Sequence, residues 1–125
     1  DSMVKFKTLV IGASINPERY SYKAIHLLVK HKIEVIPMGI KPGLVANLSI
    51  VSRFIVQNNI HTITLYLEAS KQYLYYDFIL KINPKRVLFN PGTENPELAK
   101  LLNEKDVLWE NACTLVLLSS NQYKT

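Results

Sequence analysis

The chain has 125 residues, of which 15 are basic and 10 acidic, and 48% of it is apolar. This length fits one domain with a sizeable core, and the composition is typical of a soluble globular protein. No segment approaches the roughly 20 consecutive apolar residues that a membrane span needs, and the first residues lack the pattern of a secretion signal. A single cysteine excludes an internal disulfide and fits a reducing compartment, which predicts a cytoplasmic protein.

The net charge of +5 favours an anionic partner. The lysines are scattered over presumed helix faces and turns, and no basic run is interleaved with stacking aromatic residues. The sequence therefore disfavours nucleic acid and fits a small polyanion or simply solvated helix surfaces. Asp1 and Ser2 precede Met3 and resemble a cloning remnant, so the domain is predicted to span residues 4–125.

Short apolar runs alternate with helical patterns from the start of the chain. A first strand is predicted at 4–11, followed by a helix over 21–32 with Ser21 as its N-cap. The second strand, 34–37, is ended by Pro37 and Gly39. The inward face of the helix is predicted to consist of Ala24, Ile25, Leu28 and Val29.

The second half continues the alternation after an irregular stretch. A short edge strand is predicted at 48–51, a helical turn or two at 53–58, and a strand at 62–67. Ser70 is predicted to cap the next helix, which ends at Asn83 and Pro84. Its predicted core face is Leu74, Tyr75, Phe78, Ile79 and Ile82. Next come a strand at 86–89, a helix capped by Asn95 with Leu98, Leu101 and Leu102 facing inward, a strand at 107–109 and a helix at 114–119.

Right-handed crossovers through such a series predict an α/β fold: a Rossmann-like, doubly wound, mainly parallel sheet of five or six strands with helices on both faces. The first and fourth strands are expected side by side, with ligands bound outside their carboxyl ends. Four loops are predicted to converge on that edge: 12–21, the segment after Pro37, 68–70 and 90–93.

The first loop has the residue types of a phosphate site without a known nucleotide fingerprint. Gly12 permits a tight turn, Ala13 and Ser14 let the backbone approach a phosphate at a helix N-terminus, and Arg19 can pair with phosphate as a fork. A plain strand-to-helix turn is the alternative. In the second loop, no acidic residue stands between the strand and Lys41. A lysine at this point suits the phosphorylated ribose of NADP or of coenzyme A. The alternative is a lysine in a turn that is simply exposed to solvent.

Catalytic candidates are few. His26 and His31 are too far round a helix to share a metal, and His61 is expected to face solvent. Cys113 is interpreted as a small buried residue or as a rim thiol able to form mixed disulfides. No catalytic triad, carboxylate pair or metal cluster is evident. A stripe of Tyr73, Tyr76 and Leu80 is either ordinary helix surface or a self-association patch, as in a homodimer.

Several of these segments resemble the small stand-alone CoA-binding-domain proteins, whose fold is that of the CoA-binding domain of the succinyl-CoA synthetase α subunit. They are 8–14, 16–24, 35–37, 62–67 and 89–97, together with Cys113. The resemblance implies coenzyme A at the rim. It places Gly12, Ala13, Ser14 and Arg19 around the phosphates, Lys41 near the ribose phosphate, and Leu67 and Glu68 near the adenine or pantetheine. The other positions that it implies for contacts with the ligand are Asn16, Ser21, Ile40, Asn90, Pro91 and Gly92.

Gly39-Ile40 stands where many relatives carry Asn-Pro, and the synthetase's second domain and phosphorylated histidine have no counterpart here. The prediction is thus a CoA or acyl-CoA binding module rather than an enzyme. Three alternatives stay open. They are an NADP-binding or redox-sensor-like module, a Cys113-dependent acyl-CoA enzyme, and an interaction domain that uses the tyrosine stripe.

Overall fold

The computed structural model describes residues 2–125, so Asp1 lies outside the described residues. A five-stranded parallel sheet forms the centre, with the strand order β2-β1-β5-β6-β7. Its strands are β1 (Thr8–Ile11), β2 (Val35–Met38), β5 (Thr62–Leu65), β6 (Arg86–Phe89) and β7 (Leu108–Asn111). A separate antiparallel hairpin joins β3 (Leu44–Val45) to β4 (Leu48–Ser49).

Helices cover both faces of the sheet, as predicted. They are α1 (Ser2–Lys5), α2 (Tyr20–Lys30), α3 (Ala69–Gln72), α4 (Tyr76–Ile82), α5 (Pro96–Glu104) and α6 (Thr114–Ser119). Leu9 and Ile11 of β1 belong to the apolar cluster under α4 and α5, whereas Val10 belongs to the cluster under α2 and α6. The strands are buried on both sides because each face of a parallel sheet is covered by crossover helices.

Several helices and strands have boundaries that differ from the predicted ones, because contacts between residues distant in the chain determine them. Residues 4–7 precede β1 instead of extending it, since α1 takes in the first of them. The predicted edge strand at 48–51 splits: Leu48 and Ser49 form the hairpin, and Val51 makes one isolated parallel bridge to Met38. Residues 53–58 form no helix. Their predicted helical turn was wrong.

Of the three predicted helix-capping residues, one is confirmed and two are wrong. Ser21 is not an N-cap: it lies buried inside α2, whose first flanking residue is Arg19. Ser70 lies inside α3, which Glu68 precedes, and a 3-10 turn at Tyr73–Tyr75 separates α3 from α4. Asn95 is confirmed as the cap of α5, because its Oδ1 accepts from the amide of Leu98 at 3.2 Å.

Two predicted core positions were also wrong, since Leu74 and Val29 are exposed. Leu101 is partly buried and packs against the core, in agreement with its predicted inward orientation. The tyrosine stripe is broken, since only Tyr73 of its three members is exposed. Tyr76 accepts a hydrogen bond from Asn95 Nδ2 at 2.8 Å, and Leu80 packs against the core.

His61 does not face solvent as predicted. It is half-buried at the amino edge of the sheet, with its ring 4.9 Å from that of Phe6 and its Nδ1 2.7 Å from Thr62 Oγ1. Burial lowers the pKa of His61, and the nearby positive charges of Arg86, Lys85 and Lys5 lower it further. The folded protein therefore keeps this imidazole neutral.

Acidification should consequently destabilise the protein through His61. Because the folded pKa lies below the unfolded value of about 6.5, the unfolded state binds more protons as the pH falls through that window. We expect the free energy of unfolding, measured by urea titration, to decrease from about pH 7 downward, and His61→Gln to flatten this slope. The matched variant His26→Gln, whose ring is exposed, should keep it. Equal slopes in both variants would contradict this assignment.

Candidate functional site

The strand order places the candidate site at a topological switch point. From β1 the chain passes to β2 on one side, and later enters β5 on the other side of β1. The loops that leave β1 and β5 therefore diverge at neighbouring carboxyl ends, which opens a crevice between them. The expectation that the first strand and the strand predicted at 62–67 lie side by side is confirmed, with β5 ending at Leu65.

The first loop is tied to the end of β2 through its backbone. The amides of Gly12 and Ala13 both donate to the carbonyl oxygen of Met38, at 2.9 and 2.8 Å. These two amides are therefore unavailable to a phosphate, contrary to the simplest interpretation of the loop. Among residues 2–125, the amides of Ser14 and Ile15 have no hydrogen-bond partner, so they are the loop's open donors.

Polar side chains fold the rest of this loop onto itself. Ser14 Oγ accepts from the amide of Asn16 at 3.0 Å, and Asn16 Oδ1 accepts from that of Glu18 at 3.0 Å. The Arg19 side chain is exposed at the start of α2, and no ion pair to it occurs within the part of the chain described. Arg19 is thus the free cation of the loop, whereas Asn16 shapes its backbone.

Gly39 is a site residue whose structural role the sequence interpretation missed, since it noted this position only as the end of a strand and as a departure from the family pattern. A Cβ at this position would collide with the carbonyl oxygen of Ala13, so only glycine lets the first and second loops come this close. The Gly39 amide donates to the carbonyl of Val51 at 3.0 Å, which ties in the segment after the hairpin. The following residues, Ile40 (84% exposed) and Lys41, both lie open to solvent.

The third loop lies next to the first one. A Cβ at Gly12, whose φ is +97°, would come within 3.0 Å of the Tyr66 backbone. The carbonyl of Leu67 accepts from Gln72 Nε2 at 2.8 Å, and the exposed Glu68 precedes α3. The Leu67 and Glu68 positions are therefore set by α3 and by close backbone packing.

The fourth loop is organised by Asn90, which is 2% exposed. Its Nδ2 donates to Thr64 Oγ1 at 2.6 Å and to the carbonyl of Leu65 at 2.9 Å. Its Oδ1 accepts from the amide of Thr114 at 2.9 Å. Because these bonds occupy the side chain, Asn90 joins β5, β6 and α6 and does not offer a free polar group. The neighbouring Pro91 and Gly92 are exposed on the rim.

Tyr66 directly follows β5, and Cys113 lies between β7 and α6. Burial raises the pKa of the Tyr66 phenol, so the phenol stays neutral. Its hydroxyl has no hydrogen-bond partner among the described residues. Cys113 is half-buried and directly precedes α6. Neither side chain is arranged as a base beside a nucleophile, and the histidines lie elsewhere.

Two concave surfaces lie beside the helices α5 and α2. One, of about 270 Å³, lies between α5 and β7 and includes Phe89, Asn95 and Trp109. The other, of about 470 Å³, is a groove between α2 and α6 that starts at Pro17 of the first loop. No helix in residues 2–125 is long and apolar enough to cross a membrane. In the same residues no cluster of histidine, cysteine or acidic side chains could hold a metal ion.

Comparison with known proteins connects this arrangement to a family. The family model described as "CoA binding domain" matches residues 7–119. A solved structure titled "Crystal structure of uncharacterized protein" is 42% identical, covers 93% of this chain and 96% of its own, and superimposes with a TM-score of 0.91. Among curated proteins none matches.

More distant structures share the fold. A hypothetical protein from Pyrococcus horikoshii OT3 is 23% identical, covers 95% of this chain and 87% of its own, and gives a TM-score of 0.83. A Thermus thermophilus protein is 17% identical, covers 96% of this chain and 92% of its own, and gives a TM-score of 0.80. With the family model matched over most of its length and the Rossmann-like sheet in place, this chain belongs to the CoA-binding-domain family.

Proposed function

We propose that this domain binds coenzyme A at the carboxyl edge of the sheet, where the loops after β1, β2 and β5 meet. The observation that carries the proposal is the contact between the first two loops. Glycine at position 39 lets them touch, and the same crevice is bordered by the open amides of Ser14 and Ile15. The family match supports coenzyme A as the ligand.

Donors suited to a diphosphate lie along the first loop. The amides of Ser14 and Ile15 are unpaired within the described residues, and the 11-residue helix α2 begins just beyond them with Arg19 exposed at its start. Backbone N–H groups, a helix dipole and a guanidinium together favour a doubly charged phosphate group. Gly12 and Ala13 contribute by shaping the turn rather than by donating.

The second loop supplies the features expected around the remaining parts of the ligand. Lys41 is exposed after β2, in a loop with no carboxylate between Met38 and Lys41, and so can meet a phosphorylated ribose. Ile15 and Ile40 are 52% and 84% exposed at the same rim. Apolar side chains left open beside phosphate donors suit a ligand that combines phosphates with an adenine ring and a pantetheine arm.

A ligand series tests this proposal. We expect coenzyme A to raise the unfolding temperature by several degrees at about a hundred times its dissociation constant. The form without the 3′-phosphate should bind about tenfold more weakly, since one charge-assisted contact is missing. Lys41→Gln should weaken coenzyme A to the same degree while leaving the dephospho form unchanged. Lys81→Gln, an exposed lysine on α4, is the matched control.

The same titration separates the competing functions. A shift with NADP but not with coenzyme A would contradict the proposal and favour a nicotinamide-dinucleotide module. No shift with either ligand would favour an interaction domain. Consumption of acyl-CoA that Cys113→Ser abolishes would show that the site is catalytic, whereas binding without turnover agrees with the module proposed here.

A further inference from the structure

The groove between α2 and α6 is lined by side chains of two chemical kinds. Four are apolar: Pro17, Tyr22, Leu27 and Leu115. The other three, Lys23, His26 and Lys30, are exposed and include two cationic lysines, and no acidic residue lines the groove. About 470 Å³ of space lies over these side chains, and the groove is open to solvent along its length.

The groove begins at the loop that borders the proposed CoA site. Pro17 belongs to the first loop itself, and Leu115 lies in the first turn of α6, directly behind Cys113 and Thr114. Since α2 follows β1 and α6 follows β7, both helices begin at the carboxyl edge of the parallel sheet and run away from it. From Tyr22 to Lys30 the groove extends about 12 Å along α2, at 1.5 Å per residue.

These features select an amphiphilic anion as the occupant. A purely inorganic anion would leave the apolar side chains of the groove uncovered, and a neutral lipid would not use the two lysines. We infer that the groove receives the aliphatic chain of a medium- or long-chain acyl-CoA whose nucleotide lies at the rim. The alkyl stems of Lys23 and Lys30 would then lie along the chain while their ammonium groups stay in water.

This inference rests on the proposed function and narrows it to a substrate class. It predicts that affinity rises with the length of the acyl chain. Each methylene that is fully buried raises the affinity about fourfold. In an open groove a methylene is only partly buried, so we expect about half of that free energy, which corresponds to a roughly twofold gain in affinity for each methylene. Octanoyl-CoA should therefore bind at least about tenfold more tightly than acetyl-CoA.

Calorimetric titration with coenzyme A, acetyl-CoA, octanoyl-CoA and free octanoate tests the inference. Leu115→Gln should remove most of the octanoyl gain and leave the affinity for coenzyme A unchanged, which also shows that the variant is folded. The matched variant Val116→Gln should keep the gain, because Val116 is 57% exposed and does not line the groove.

The outcomes separate the two proposals. If coenzyme A binds but the acyl chain adds nothing, as it would with a second protein copy covering the groove, the inference is overturned and the CoA site stands. If both variants keep the gain, the chain lies elsewhere and the inference is also overturned. Saturation by octanoate alone, without binding of coenzyme A, overturns both proposals in favour of a separate fatty-anion site.

Discussion

Replacing Asn90 with alanine is expected to lower the free energy of unfolding by about 3 kcal/mol. The variant leaves the carbonyl of Leu65 and the amide of Thr114 without their side-chain partner at a 2%-exposed position. Each buried polar group abandoned in this way costs about 1–3 kcal/mol. In a domain of this size the loss should reduce the unfolding temperature by roughly 10 °C, as measured by calorimetry.

Two further variants identify the cause. Asn90→Asp keeps the shape of the side chain but points a carboxylate oxygen at the Leu65 carbonyl, so it should be at least as destabilising as alanine. Asn103→Ala removes an exposed asparagine that accepts one bond from Trp109 Nε1 at 2.9 Å, and should cost less than about 1 kcal/mol. A similar loss in Asn90→Ala and Asn103→Ala would refute the buried network as the source of stability.

Gly39→Ala is expected to damage the proposed ligand site. Its Cβ has to displace the Ala13 carbonyl, which belongs to backbone and cannot rotate away, so the first and second loops must separate. We expect a stability loss of about 1–3 kcal/mol from overpacking. Coenzyme A should bind at least about tenfold more weakly, since a misplaced donor loses most of a charge-assisted contact.

Gly92→Ala provides the comparison. Gly92 has a φ of +90°, so alanine there is strained, but its Cβ would meet no atom within 4 Å. Strain alone costs about 1 kcal/mol or slightly more. CoA titrations of the two variants should therefore differ clearly, with Gly39→Ala the weaker binder. Equal affinity in Gly39→Ala and the unmodified protein would show that the contact between the loops does not shape the site.

The regular elements could be predicted because their signals are local. The strand at Arg86–Phe89 and the helix at Thr114–Ser119 agree with their predicted bounds, and Asn95 caps α5 as expected. In each case the apolar run or the capping side chain lies within the element itself. The hairpin at 44–49 and the bridge from Met38 to Val51 depend on contacts that such local patterns do not contain.

The position of the candidate site could be predicted from the sequence, but its hydrogen bonds could not. Strand order followed from crossover handedness, which brought the loops to one edge. The carbonyl of Met38 nevertheless accepts hydrogen bonds from the amides of Gly12 and Ala13, and the Asn90 side chain is fully used in hydrogen bonds to Thr64 and Thr114. Hydrogen-bond partners that are distant in the chain decide which polar groups remain free to bind a ligand, and local sequence patterns do not show which residues become partners. The role of Gly39 has the same origin.

Backbone amide chemical shifts recorded during a titration with coenzyme A test the central claim most directly, because they report where the ligand lies as well as whether it binds. We predict the largest changes at Ser14, Ile15 and Lys41, and small changes at Gly12, whose amide stays bonded to the Met38 carbonyl. Changes confined to the cavity between α5 and β7, around Asn103 and Trp109, would contradict a CoA site at the switch point.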